Sequence, residues 1–234
     1  MNKEEFKQEL EKLNINYTEE KLQKLEEYYQ LLIEENKKYN LTAITEKKEV
    51  YLKHFYDSLT ITKIINLKNQ NICDIGTGAG FPGIVLKIFY PELEITLLDA
   101  TLKKCNFLNI VIKKLNLKKI KVINERAEEY SKKNREIYDI VVSRAVAPLP
   151  HLLEYSIPLL RINGYQISMK GNVEEELTNI KNYFKILNIE LIEKKVFNLP
   201  IENSIRTLLK FKKTKKTEIK YPRAYKEIKN KLLK

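Results

Sequence analysis

Four glycines fall within eight positions of this chain, in the stretch DIGTGAGFPG (74–83), although the whole 234-residue sequence holds only six. An apolar run, NICDI (71–75), precedes the stretch and another, GIVLKIF (83–89), follows it, so it reads as the turn from a strand into a helix. A tight turn needs one or two glycines. Four of them, at 76, 78, 80 and 83, imply a loop whose backbone comes close to a ligand, backed by the free N–H groups of the helix that follows. Two registers fit the letters. Read from Gly78 they match the dinucleotide pattern G-x-G-x-x-G, with Asp99 near the distance expected of a ribose-binding acid. Read from Asp74 they give D-x-G-x-G-x-G, a carboxylate at the strand end followed by Gly76, Gly78 and Gly80. Phe81 then stands where a NAD loop registered from Gly76 would want a small residue.

From residue 71 onward short apolar runs alternate with helical ones. Candidate strands are NICDI (71–75), EITLLD (94–99), KVIN (121–124), YDIVVS (138–143), YQISMK (165–170), IELIEKKVF (189–197) and IRTLLKF (205–211). Helical segments of about 10–15 residues between the early strands point to βαβ units and a parallel sheet. Only PIEN (200–203) separates the last two, too little for a crossover helix, so they should form an antiparallel hairpin. The expected fold is α/β: a seven-stranded, mostly parallel sheet whose last strand is reversed at the edge, with an N-terminal helical cap. In that cap Thr18 is a plausible N-cap, with Glu19 and Glu20 in the first turn. Leu22, Leu25, Tyr29 and Leu32 recur at helical spacing toward Tyr39. NLTAIT (40–45) breaks this helix, and a second helical stretch covers about 47–65. The expected division is a cap over 1–70, a ligand-binding domain over 71–212 and a basic tail over 213–234.

The net charge is +12, and it is unevenly placed: residues 206–234 hold twelve basic and two acidic side chains, whereas residues 1–60 hold ten basic and thirteen acidic ones. Positive charge gathered into a C-terminal stripe is the footprint of a polyanion partner. The opening MNKEEFKQEL lacks the apolar core of a signal peptide, and no apolar run approaches the ~18 residues of a membrane span. Cys73 and Cys105 make neither a disulfide framework nor a zinc ligand set. A cytoplasmic monomer with no metal and no membrane partner is expected.

NLTAIT (40–45), HFYDSL (54–59), DIGTGAGFPG (74–83), LLDATLKKCNFL (97–108), RAEE (126–129) and DIVVSRAVAPL (139–149) occur in this order, followed by Lys170-Gly171, Arg206 and YPR (221–223). The glycine stretch resembles motif I of class I S-adenosylmethionine-dependent methyltransferases. The whole series resembles the RsmG family, also called glucose-inhibited division protein B, from about residue 20 to 223. One departure stands out. Such proteins commonly continue YPR with a basic tail containing glycine and proline, whereas this chain reads YPRAYKEIKNKLLK, with Lys226, Ile228 and Leu232 at positions where a breaker would be expected.

The resemblance implies a Rossmann-like methyltransferase that uses S-adenosylmethionine to methylate N7 of a guanine in 16S rRNA, within the small subunit or an assembly intermediate. It implies a cofactor site built from Asp74, Gly76, Gly78, Gly80, Phe81, Asp99, Ala127, Glu128 and Arg144. Asp99 would accept from the ribose hydroxyls, and Ala127 and Glu128 would flank the adenine. Arg144 and Asn40 are the catalytic candidates, and Asn40, Arg206 and Arg223 the RNA-binding ones. Alignment is the main catalytic task, because the N7 lone pair lies in the ring plane and carries no proton. Enzymes acting on exocyclic amines usually carry an Asn/Asp-Pro-Pro-aromatic segment after strand four, where this chain has Ser143-Arg144-Ala145-Val146. The Pro-Cys commonly found in enzymes that methylate carbon 5 of pyrimidines is absent too. The rivals are a methyltransferase on another RNA or non-RNA substrate, an NAD-dependent oxidoreductase and a non-catalytic RNA-binding module. His54 reads as a packed helix-face residue and His151 as structural.

Overall fold

The computed structural model describes residues 1–233. Its N-terminal part is helical. α1 (Lys3–Lys12) starts at Asn2, whose side chain accepts from the Glu5 N–H. α2 (Glu19–Tyr39) starts at Thr18, whose hydroxyl accepts from the Lys21 N–H at 3.3 Å, and stops where Asn40 turns left-handed at φ +49°. Leu22, Leu25 and Leu32 are buried as the spacing requires. The remaining core position is Tyr28 rather than Tyr29, because its hydroxyl reaches across to donate to the Ala79 carbonyl in the glycine loop. A further helical run begins as α3 (Lys47–Val50), passes through π turns over Tyr51–Tyr56, continues as α4 (Asp57–Leu59) and closes in a 3₁₀ turn at Thr60–Lys63. Wider turns rotate the faces that follow, which is why π segments often accompany functional sites. This one carries His54 and delivers Asp57.

β1 (Asn71–Ile75) leads through the glycine loop into α5 (Gly83–Phe89), and the chain then alternates through β2 (Glu94–Asp99), α6 (Leu102–Lys114), β3 (Ile120–Asn124), α7 (Ala127–Lys133) and β4 (Tyr138–Arg144). After α8 (Leu149–Ser156) and β5 (Leu160–Lys170) come two short helices, α9 (Glu174–Thr178) and α10 (Lys181–Ile186). The hairpin β6 (Ile189–Asn198) and β7 (Ile205–Lys213) follows, and then a last helix, α11 (Tyr225–Asn230). The strands form one seven-stranded sheet in the order β3-β2-β1-β4-β5-β7-β6. β7 alone runs against the others, pairing antiparallel with both neighbours. The reversed strand is therefore the last in sequence, as expected, but it is not the edge. It lies inside, paired along Tyr165–Lys170 of β5, and β6 forms the border. β7 is the better inner strand on burial grounds, since Leu208, Leu209 and Phe211 are buried whereas most of β6 is exposed.

Alternation across the sheet separates two cores. Ile72, Leu97, Ile140, Val142, Ile167 and Met169 face the N-terminal helices, α5 and α6. Cys73, Ile75, Leu98, Val141 and Leu209 face the opposite layer, from α8 to α10. After β1 the chain moves outward to β2 and β3, then returns to β4 on the other side of β1. The resulting crevice at the carboxyl ends of β1 and β4 is where ligands of open α/β sheets bind.

Gly80 shows how tightly the cap is joined to this crevice. Its φ is +102°, and a Cβ there would lie 2.5 Å from Ile84 Cγ1 and 2.6 Å from the Tyr28 hydroxyl. Gly80→Ala should therefore cost about 2–4 kcal/mol through left-handed strain and overpacking. Urea denaturation measures this, and a variant within about 0.5 kcal/mol of wild type, the range of a neutral surface change, would contradict the reading.

Candidate active site

The loop takes its shape from one carboxylate. Asp74 is fully buried at the end of β1; its Oδ2 accepts from the Thr77 hydroxyl at 2.6 Å and from the Gly83 N–H at 2.8 Å. Loop start and helix start are thereby tied to one atom. The other oxygen, Oδ1, has no hydrogen-bond partner among the described residues. Burial pushes this carboxyl up to about 7, against the pull of those two donors and of Arg144. Asp74 thus supports the loop from beneath.

The glycines divide their work. Gly76 lines a cavity, and Val146 packs so closely that its methyl carbons lie 2.7 Å from where a Gly76 Cβ would stand. The Gly78 N–H donates to Asp99 Oδ2 at 3.0 Å. Gly80, expected to admit a ligand, meets Tyr28, Ile84 and Leu108 instead. The cavity measures about 490 Å³ and also involves Asp99, Ala127, Glu128 and Tyr155, which brings together residues from the ends of β1, β2 and β3. Its size suits a nucleoside-bearing ligand. Asp99 is 7% exposed, and the Thr101 N–H holds its second oxygen at 2.8 Å. Each oxygen has one backbone donor and lone-pair capacity left over, the arrangement needed to accept from two neighbouring hydroxyls. Glu128 is neutralised by the Arg126 side chain.

A second cluster lies on the other side of the β4 turn. Arg144 donates to Asp57 Oδ2 at 3.2 Å, to the Lys53 carbonyl at 2.8 Å and to His54 Nδ1 at 3.1 Å. Arg206, from the start of β7, brings its Nε to 3.2 Å from Asp57 Oδ1. One buried carboxylate thus holds two guanidiniums, and the group carries net positive charge. His54 stacks on Phe81 with ring centroids 4.3 Å apart, and its Nε2 meets the Thr42 hydroxyl at 3.0 Å. Nδ1 faces both the Arg144 guanidinium and, at 3.2 Å, the Lys53 carbonyl; the tautomer that accepts from Arg144 carries its proton on Nε2 and donates it to Thr42. Burial first, and the Arg144 charge second, push His54 down to about 3. Ala145, at φ +53°, lets Arg144 enter this cluster while Val146 turns back over Gly76.

Of the expected residues, Gly76, Asp99, Ala127 and Glu128 meet at the cavity, with Gly78 joined to them through Asp99. Arg144, Arg206 and Phe81 meet at the cationic cluster, where the Phe81 ring centroid lies 5.2 Å from the Arg144 guanidinium carbon. Asn40 is exposed at the end of α2, two residues before Thr42. Arg223 is occupied elsewhere: its guanidinium grips Glu154, which is fully buried, at 2.8 and 2.9 Å. Sequence reasoning missed Asp57, although HFYDSL places it one helical turn from His54. It also missed Tyr225 and Lys229, which line the cavity from the far end of the chain. His151, read as structural, borders the cavity as well.

Two buried groups give opposite pH dependence. Asp74 binds a proton more tightly folded than unfolded, so its contribution to stability is complete below about pH 4 and is lost as pH rises to about 7. His54 binds its proton less tightly folded, so its contribution grows between about pH 3 and 6.5. Asp74→Asn removes only the first. Relative to wild type, the variant should gain stability steadily from pH 4.5 to 7.5 in denaturant titrations, and a flat difference would refute a neutralised Asp74.

The structure is similar to that of M. jannaschii TYW2 in complex with AdoMet, with a TM-score of 0.56 at 15% identity over 73% of this chain and 79% of that one. A SAM-dependent methyltransferase from Aquifex aeolicus superimposes with a TM-score of 0.51 at 15% identity, over 74% of this chain and 96% of the other. These likenesses establish the fold. At the sequence level, proteins named ribosomal RNA small subunit methyltransferase G are much closer. The one from Mesoplasma florum is 51% identical over 90% of this chain and 89% of its own length. That from Desulforamulus reducens is 48% identical over 93% and 92%, and that from Bacillus cereus 46% identical over 95% of both. The family model GidB, rRNA small subunit methyltransferase G, matches residues 21–207. With a match over most of its length and relatives at this identity, the chain belongs to the GidB family of small-subunit rRNA methyltransferases.

Proposed function

We propose that this enzyme transfers the methyl group of S-adenosylmethionine to N7 of an unpaired or flipped-out guanine in 16S rRNA, in the small subunit or an assembly intermediate. One observation carries the reading: the Ser143–Val146 turn joins a nucleoside-sized cavity to a cationic cluster at the sheet's switch point. Asp99 would hold the ribose hydroxyls, Ala127 and Glu128 would flank the adenine, and Gly76 would border the methionine side. The cofactor supplies a sulfonium-bound methyl group open to in-line displacement.

The chain's own task is then alignment. Arg144, fixed by Asp57, His54 and a backbone carbonyl, would face the junction where cofactor and base meet, and Arg206, held by the same Asp57, suits a phosphate or the guanine O6. His54 serves as a brace, since both its nitrogens are engaged and burial keeps it neutral. That agrees with the chemistry: the N7 lone pair attacks the methyl carbon, the carbon–sulfur bond breaks, and no proton has to leave. Duplex RNA hides N7 in a deep, narrow groove, so the base has to be presented out of the helix. Asn40, exposed two residues before the Thr42 that meets His54, would contact the RNA.

Methyl-labelled S-adenosylmethionine, the protein and small subunits from cells lacking its gene should yield label in 7-methylguanosine after digestion to nucleosides. Asp99→Ala should weaken S-adenosylhomocysteine binding about 100-fold, the scale of lost charge-assisted hydrogen bonds, and abolish labelling. Tight S-adenosylhomocysteine binding with no label in any RNA would refute the substrate and leave the cofactor assignment standing.

A further inference from the structure

We infer that the C-terminal helix α11 is part of the cofactor site, with Tyr225 and Lys229 forming the outer wall at its adenine end. The inference rests on the assignment of the cavity to S-adenosylmethionine. It goes beyond that assignment by giving the tail, whose charge alone suggested RNA, a second ligand.

The observations begin with how firmly the tail is docked. Arg135 donates to the carbonyls of Thr217 and Tyr221 at 2.7 and 2.6 Å, fixing the segment ahead of the helix. Arg223 then plugs into Glu154 of α8 with its backbone N–H at 2.9 Å as well as its guanidinium, and reaches over to the Lys231 carbonyl at 2.9 Å. Ile228 is 1% exposed, and the Leu233 N–H donates to the Tyr183 hydroxyl at 3.2 Å. Both ends of α11 and its middle are therefore anchored. No glycine or proline interrupts AYKEIKNKLLK (224–234), so the segment is able to coil.

Anchoring Ile228 settles which way the helix faces. Tyr225 and Lys229 are four residues apart on one side of α11, and that side borders the cavity. The Tyr225 ring covers the Arg126 guanidinium, with its centroid 4.1 Å from the guanidinium carbon, and Arg126 in turn neutralises Glu128. Tyr225, Arg126 and Glu128 form a chain of contacts, ring over guanidinium and guanidinium to carboxylate, beside Ala127, the position assigned to the adenine. Tyr225 remains 42% exposed, so an adenosine group entering the cavity has apolar ring surface there to cover. Lys226 lies outside the cavity and serves as an internal control.

The chain contains no tryptophan, so Tyr225→Trp places a single reporter at the proposed wall. Its emission should shift saturably on titration with S-adenosylhomocysteine, with the Kd obtained by calorimetry. Tyr225→Ala should weaken that binding about fivefold, the scale of one lost aromatic contact, while Lys226→Ala leaves it unchanged. Deletion of 225–234 should weaken it at least as much as Tyr225→Ala; because this removes buried Ile228, the two point variants, with melting curves matched to wild type, carry the test. An unresponsive tryptophan together with wild-type affinity in Tyr225→Ala would overturn the inference while wild-type binding upholds the cofactor assignment. If wild type itself fails to bind S-adenosylhomocysteine, both fall. Loss of rRNA affinity alone in the deletion would return the tail to RNA and likewise overturn the inference.

Discussion

The site depends on Asp74 Oδ2, which accepts from both ends of the glycine loop. A loop with left-handed φ at Gly76, Gly78 and Gly80 has many conformations available and loses much entropy on ordering. Two hydrogen bonds to one buried atom select among them, and Tyr28 fastens the loop from the cap side. The consequences run outward from there. With the loop closed, the Gly78 N–H points at Asp99 and Gly76 leaves room for Val146. Phe81 presents the surface on which His54 stacks. A carboxylate without water around it is unstable as an anion, which explains why burial outweighs its two donors and raises its proton affinity.

Asp57 performs a similar service between layers of the molecule. It comes from the helical cap, whereas its partners Arg144 and Arg206 come from the middle and the far side of the sheet. The cap, β4 and β7 are thereby brought to one point, near the crevice that strand order already created. Such a group is poor at adding stability, because the desolvation of three charges consumes most of the attraction among them. Its value is geometric. A guanidinium held by a carboxylate, a carbonyl and an imidazole has few rotamers left, and a base presented at this point meets a fixed surface.

Much of this was legible in the chain itself. Every strand fell where short apolar runs predicted one, and the hairpin followed from the brevity of PIEN. Gly76, Asp99, Ala127 and Glu128 converged because strand ends in a doubly wound sheet must converge. What stayed hidden depended on partners distant in sequence. That Gly80 serves Tyr28 cannot be read from DIGTGAGFPG, since the contact spans the cap and the sheet. The inner position of β7 was concealed because a hairpin specifies which strands pair with each other but not which of them meets β5. Asp57 looked like one acid on a mixed helix, and only the π turns and the register of β4 and β7 made it the meeting point of two arginines.

The tail is where local reading and tertiary structure differ most. Counted along the chain, residues 206–234 form a uniform basic stripe. Folding sorts those charges. Arg206 turns inward to Asp57, Arg223 to Glu154, and Lys213, fully buried, to Glu136 and the Leu160 carbonyl. These three cations hold the structure together. Lys215, Lys216, Lys220, Lys226, Lys229 and Lys231 remain exposed. The field available to a polyanion is thus weaker than the formal count suggests, but it is carried by a segment whose inner cations are locked in place. A basic tail that floats binds RNA through counterion release alone. Docked as it is here, beside the cavity, the same charge has a fixed direction, and RNA drawn to it would be held alongside that cavity.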